Sequence, residues 1–339
     1  MNKMEPCGIE VSARELLVAV ESGGQSRMYR LANTATGHRK LLHTLTRGGK
    51  RVRVVMESTG LYGLDVAVAL SDCAGVELMV ANPRAVRHFA QACMQRSKND
   101  QLDAVVLREF ARRMEFKPWT RPQGPVLTLW SIARRLESLT NWCTAEKNRG
   151  HAAGISQATP ACVRKDIARS LRVHQQSMKE LRREALACIA ADAQMQRRYA
   201  LLRTVRGIGE ISAIQILAEL MLLPEDRDVR QWVAYAGLDP KEHSSGTSVR
   251  KYTRISKVGN RHLRHALYMP ALVASRFEPH LRAFYEHLLA RGKKKRQALI
   301  AVARKLLHAI YGMFRSDRPF DGARLYASPA PPLITVQGS

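Results

Sequence analysis

Acidic residues are scarce in this chain. Its 339 residues carry 29 Asp and Glu against 55 Lys and Arg, a formal net charge of +26. A surface that short of acid excludes a basic partner and favours a polyanion, because cations that displace condensed counterions from nucleic acid gain affinity by doing so. Metal-binding cysteine motifs are missing too. The six cysteines, Cys7, Cys73, Cys93, Cys143, Cys162 and Cys188, form no CxxC, and no His stands at zinc-finger spacing. That excludes a zinc module and suits reduced, mostly buried thiols in a cytosolic protein. No apolar run reaches membrane-spanning length, so no membrane partner is expected. Residues 1–14 carry charge and lack an apolar core, so no signal peptide is expected. With 45% hydrophobic residues the chain is no disordered polycation, and its length allows two or three cores.

The positive charge is uneven. Residues 1–125 hold 19 basic and 12 acidic residues, and residues 126–339 hold 36 and 17. Between Lys241 and Lys305 there are 16 basic and 3 acidic residues. Much of the nucleic-acid contact is therefore expected in the C-terminal half.

Residues 1–125 alternate strand-like and helix-like segments, the pattern of an α/β domain. Strands are expected at 8–11, 16–20, 51–56 and 77–81, the last closed by Asn82-Pro83. Helices are expected at 66–70, 85–94 and 100–114, the last with an apolar stripe of Leu102, Val105, Val106, Phe110 and Met114. Residues 126–196 change character. Leu129, Ile132, Leu136, Leu139 and Cys143 recur at steps of three and four, as do Ile167, Leu171, Met178, Leu181, Ala185 and Cys188. His174 fills the one polar slot between Leu171 and Met178. That seam predicts two antiparallel helices of coiled-coil type, broken across 150–160 and packed on each other or on another subunit. Residues 197–318 read as a mostly helical C-terminal domain. Residues 319–339, rich in Pro, Ala and Ser, read as a flexible tail.

Against this basic background, four carboxylates stand out. Glu10 lies in the first strand, and Glu57 ends the third, just before Ser58-Thr59-Gly60. Asp100 and Asp103 sit three apart at the start of a helix and so share one face. If that helix crosses the ends of the two strands, the oxygens converge into a hard-ligand site for Mg²⁺ or Mn²⁺. Two such ions can activate an attacking oxygen and stabilise a leaving one in phosphoryl transfer. Each acid also has an ordinary use, such as a helix-dipole charge at Asp100 or an arginine partner for Asp103.

Two further segments carry chemistry. In 202–213, Gly207-Ile208-Gly209 between two helices suits a helix–hairpin–helix contact, with backbone N–H groups at a helix start facing a phosphate. A plain helical corner is the alternative. Farther on, Ser244-Ser245-Gly246 reads as a loop with Arg250, Lys251, Arg254, Lys257, Arg261 and Arg264 following it. A serine there is a candidate nucleophile, its alkoxide favoured by the surrounding positive field. Ser-Gly is also common turn punctuation.

Taken in order, these blocks resemble the IS110 family of transposases, in its IS1111-type branch. The resemblance rests on Gly8-Ile9-Glu10-Val11-Ser12, Glu57-Ser58-Thr59-Gly60 with Tyr62-Gly63, Ala81-Asn82-Pro83, and Lys98-Asn99-Asp100 through Asp103-Ala104. Toward the C-terminus it continues in Gly207-Ile208-Gly209, Ala236-Gly237-Leu238, Ser245-Gly246, Lys257-x-Gly259-Asn260 and Leu263-Arg264. It covers almost the whole chain. It implies a RuvC-like, RNase H-type N-terminal domain whose acids, here Glu10, Glu57, Asp100 and Asp103, hold Mg²⁺. It also implies a catalytic serine, here Ser245, with Ser244 one register position away. Family members are described as DNA recombinases that pair a structured RNA from their own element with donor and target DNA. A cytoplasmic protein acting at the nucleoid as a dimer or tetramer is the corresponding expectation. One departure stands out: the family's first acid is usually Asp, and Glu10 adds a methylene where Mg²⁺ geometry is demanding. A hydrolytic nuclease using the acids alone, and a non-catalytic nucleic-acid-binding descendant, remain the alternative readings.

Overall fold

The computed structural model describes residues 4–22, 24–58, 60–95, 99–245 and 249–326, and the chain divides into two units, Met1–Arg121 and Pro122–Ser339. In the first unit a five-stranded mixed sheet runs in the order β3-β2-β1-β4-β5. Its strands are β1 (Glu5–Val11), β2 (Glu15–Ser22), β3 (Gln25–Ala32), β4 (Val52–Glu57) and β5 (Val76–Ala81). β1, β4 and β5 are parallel, whereas β2 is antiparallel to both its neighbours. The helices are α1 (Ala35–Thr46), α2 (Leu64–Ser71), α3 (Pro83–Ala92) and α4 (Asp100–Arg113).

Strand alternation sorts the side chains onto two faces. Cys7, Ile9 and Val11 of β1 join Val52, Val54 and Met56 of β4 in a core closed by Leu41 and Leu45 of α1 and Val66 and Leu70 of α2. The intervening residues face the other way. Val55 packs with Val106, Leu107 and Phe110 of α4, and Leu17 and Ala19 of β2 pack with its Ala104. Asn82 and Pro83 close β5 as expected and also cap and begin α3, with the Asn82 side chain accepting from Arg84 N. β3 and α1 fill a stretch where the sequence reading assigned no element. β3 is exposed along most of its length, and its apolar alternation is short, with Tyr29 and Leu31 packed against the core.

The second unit is mostly helical. It comprises α5 (Gly124–Ile155), α6 (Ala161–Ala190), α7 (Ala193–Arg203), α8 (Glu210–Leu220) and α9 (Val229–Ala236). A β-hairpin follows, β6 (Pro240–Ser245) with β7 (Val249–Ile255), and then α10 (Arg261–Ala266), α11 (Tyr268–Phe277), α12 (Pro279–Ala290) and α13 (Lys295–Ser316). The break expected across 150–160 is shorter, because α5 runs through Gly150 and Gly154 to Ile155. Leu129, Leu136 and Leu139 of the heptad stripe are buried, as are Ala185 and Ile189 of α6. Toward the far end of this helical pair Ile155 and Val173 are exposed. The base of the pair enters one core with α7–α11 and α13. Among the described residues no helix is long and apolar enough to cross a membrane.

The approach of α4 to the sheet is closest at Gly8. A Cβ there would lie 2.1 Å from Ala104 O and 2.3 Å from Arg108 N, both backbone atoms of α4. Gly8→Ala is therefore expected to cost roughly 1–3 kcal/mol or more by overpacking. A thermal melt should record a fall in Tm of several degrees, and an unchanged Tm would show that α4 does not bear on this strand.

Candidate active site

The first unit places the predicted acids at one corner. Glu10 follows Gly8 by two residues and pairs with Leu17, so it projects from the sheet face that α4 covers. Glu57 follows Val55 by two and projects from the same face. β1 and β4 are parallel with Ile9 opposite Met56, so one further step sets Glu10 beside Glu57. Neighbouring strands lie about 4.8 Å apart.

α4 runs antiparallel to β1. Near its C-terminal end, Arg108 donates to Ser26 Oγ at 2.5 Å and Arg112 pairs with Glu21, both by the turn that faces the start of β1. Its N-terminal end therefore lies over the end of β1, where Glu10 sits. Asp100 and Asp103 occupy that first turn, one helical repeat before Ala104 and Leu107 on the sheet-facing stripe. Asn99 caps the helix by accepting from Leu102 N at 2.8 Å. Both aspartates are also well placed for the helix dipole. Asp100 is exposed, whereas Glu10, Glu57 and Asp103 are half-buried. The donors are hard oxygens on one face and at one end, the chemistry a divalent cation takes. Among the described residues, though, no three acidic, His or Cys side chains are gathered closely enough to hold an ion.

In the second unit the serine segment is not the loop expected from sequence. Ser245 is the last residue of β6, in register with Val249, and Ser244 is in register with Arg250. Gly246 and the side chains of Ser245, Arg250 and Lys251 lie outside the described residues. Arg254, Lys257 and Arg261 are exposed. Arg264 has an internal job: its Nη1 donates to Ala236 O at 2.7 Å, at the C-terminus of α9. Burial lowers its pKa. Gly207 also has a packing role. Its φ is +119°, and a Cβ would come within 2.8 Å of Pro270 O and 3.0 Å of Ala274 N on α11. Gly209 is exposed and precedes α8, with Glu210 in the first turn paired to Arg182 at 2.8 Å.

The base of the hairpin is fastened tightly. Ser256 Oγ donates to Asp239 Oδ1 at 2.6 Å, and Ser256 N donates to Asp239 O. Gly237 ends α9 in the left-handed region, and a Cβ on Gly259 would sit 2.5 Å from its nitrogen, so these two glycines let the strands' ends meet. Asn260 caps α10 by accepting from His262 N and Leu263 N. Its Nδ2 donates to Glu219 Oε2 at 2.6 Å and to Tyr235 Oη at 2.8 Å. Glu219, buried in α8, pairs with Arg134 of α5 at 3.1 Å. Nearby, Glu137 meets His262 Nδ1 at 2.5 Å and His265 Nδ1 at 3.4 Å. Sequence reasoning missed this network. Its signal was a lone acid, Glu219, inside the apolar run of α8.

Burial raises the Glu219 pKa above its ordinary 4.5, opposed by the Arg134 charge and the Asn260 hydrogen bond. Burial likewise raises Tyr235 and lowers Arg134. A carboxyl whose folded pKa is raised contributes stability that is complete below its unfolded value and is lost as pH rises through the folded value. Glu219→Gln is thus expected to match the parent's Tm near pH 4 and to gain on it as pH rises. Asn260→Ala removes a cap and strands two buried partners, at roughly 2–4 kcal/mol. Melting curves across pH check both.

Known proteins resemble this chain along most of its length. Residues 7–153 match a transposase family model of the IS110 DEDD type, and residues 185–286 match the model described as Transposase IS116/IS110/IS902 family. The pilin gene-inverting protein of Moraxella bovis is 28% identical over 80% of this chain and 82% of its own length. An uncharacterized 43.6 kDa protein of insertion element IS110 from Streptomyces coelicolor is 30% identical over 44% of this chain and 37% of its own length. A probable family 20 transposase of Pseudomonas aeruginosa is 34% identical over 30% of this chain and 29% of its own length. The chain belongs to the IS110 family of transposases, DNA recombinases of insertion sequences.

Proposed function

We infer that this transposase cuts and rejoins DNA through a serine nucleophile, Ser245, assisted by an acidic Mg²⁺ or Mn²⁺ site made of Glu10, Glu57, Asp100 and Asp103. The observation that carries this reading is the common end of the sheet: two strand-end glutamates on the face α4 covers, and two aspartates in the first turn of α4, over the same end. The mixed sheet of the first unit suits an RNase H or RuvC-like fold, and α7–α8 about Gly207 suits a helix–hairpin–helix element.

In this mechanism the serine oxygen gives up its proton and bonds to a DNA phosphorus. The phosphorus–oxygen bond to one deoxyribose breaks, and the departing oxygen takes up a proton. The phosphoserine ester conserves the bond energy until a new sugar hydroxyl displaces the serine. A cation at the acids would neutralise charge on the phosphate oxygens during transfer. The four carboxylates would bind and orient it, and the basic residues Arg250, Lys251, Arg254, Lys257 and Arg261 would hold the DNA backbone. The clasp holds the base of the hairpin that carries Ser245 against α8–α10. Inversion, named for the Moraxella relative, is a conservative exchange of this kind. A structured guide RNA pairing with donor and target, and assembly as a dimer or tetramer in the cytoplasm, complete the reading.

Ser245→Ala is expected to abolish covalent protein–DNA attachment and strand exchange while leaving DNA affinity within about twofold. Denaturing gels with labelled DNA read the adduct. Free cut ends with no adduct in the parent protein would move the chemistry to the acids alone, as a hydrolytic nuclease. Asp103→Ala, or EDTA, is expected to stop cleavage, with exchange that persists in EDTA removing the cation. Co-purification of a structured RNA from the element's flanking DNA tests the guide.

A further inference from the structure

A second surface of the C-terminal unit is built differently from the hairpin. A cavity of about 190 Å³ lies between α7, α8, α9 and α13. Three aromatic rings line it. Trp232 meets Tyr311 edge-on at 5.1 Å between centroids and Phe314 at 6.0 Å. Arginines ring them: Arg198 stands 5.3 Å from the centre of Phe314, and Arg315 stands 5.5 Å from that of Tyr311. Arg227 also lines the cavity and makes no ion pair with any described residue. Trp232 is 8% exposed, and its Nε1 is buried without an acceptor.

We propose that this cavity binds one unstacked nucleotide of a single strand, its base against the Trp232–Tyr311–Phe314 rings and its phosphate at Arg227. Several features favour that ligand. The cavity is smaller than the roughly 300–1,000 Å³ of pockets for drug-sized molecules, which suits one planar ring. Aromatic faces and guanidinium planes both stack on bases. Glu225 pairs with Arg198 at 3.0 Å and stays ionised, its pKa lowered by hydrogen bonds from Gln194 and Arg198. It therefore repels a phosphate on its own side and leaves the Arg227 side for one. The placement adds a purpose. α9 carries Trp232 into the cavity and Tyr235, one turn on, into the clasp that holds the Ser245 hairpin. A nucleotide seated here holds a strand at a fixed offset from the serine segment. The inference rests on the recombinase reading only in taking nucleic acid as the partner.

The test uses the full-length protein, labelled thymidine and uridine homopolymers, and strands of equal length whose bases are removed. Fluorescence anisotropy reads affinity. The parent is expected to bind base-bearing strands about tenfold more tightly than abasic ones. Phe314→Ala is expected to lose most of that difference and to keep duplex affinity within twofold. Stacking ignores the 2′-hydroxyl, so a base-dependent loss in either homopolymer supports the proposal and its absence in both overturns it. Arg227→Ala, outside the core, keeps the test open if Phe314→Ala fails to fold. It is expected to lower the slope of log affinity against log salt by about 0.7, and an unchanged slope removes the phosphate. Ser245→Ala should retain the full base dependence, so failure here is separate from failure of the serine mechanism.

Discussion

A helix can approach a sheet only as closely as the side chains between them allow, and at Gly8 there is none. The backbone of α4 lies where any Cβ would have been. That contact sets how near the helix axis comes and, with Arg108 and Arg112 anchored by the β2–β3 turn, which way the helix points. Everything at the acidic corner depends on it. Had α4 been lifted by a larger residue at position 8, Asp100 and Asp103 would have moved away from the ends of β1 and β4.

The second unit depends on burying charge rather than avoiding it. Glu219, Arg134, Asn260 and Tyr235 join α5, α8, α9 and α10 through polar contacts inside an otherwise apolar core. Burial works against the ionised carboxylate, as the direction of its pKa shift records. Such an arrangement contributes geometry more than stability. Asn260 illustrates this: one side chain caps a helix, satisfies a buried acid and meets a tyrosine, so the chain leaving the hairpin has a single way to sit.

Much of this was legible in the sequence, for identifiable reasons. β1, β2, β4 and β5 carry β-branched and apolar residues in runs, and α4 carries a clear stripe, so their existence and order could be read directly. The acids were legible because they interrupt a basic chain at element ends. β3 was not, because most of this edge strand is exposed and its apolar alternation is short, Tyr29 and Leu31 packing on the core. The β6–β7 hairpin was not, because Lys, His, Ser and Arg fill it and its stability comes from the clasp at its base. Gly207 was visible, but its packing against α11 was not. A glycine that yields space to α11 looks in one dimension like a glycine that frees an N–H for phosphate. Tertiary approach leaves no local trace.

None of the four corner acids belongs to the buried core. They hang from strand ends and from the first turn of a helix, outside the packing that folds the unit. For a mobile element this separation has a population-level consequence. Under the proposed mechanism, a copy that exchanges the exposed Asp100 for a neutral residue would lose part of its cation site while its buried core stays as it is. Such a copy would keep its positive surface and compete with active copies for the same DNA, so decay of the chemistry and decay of the fold would proceed on different clocks.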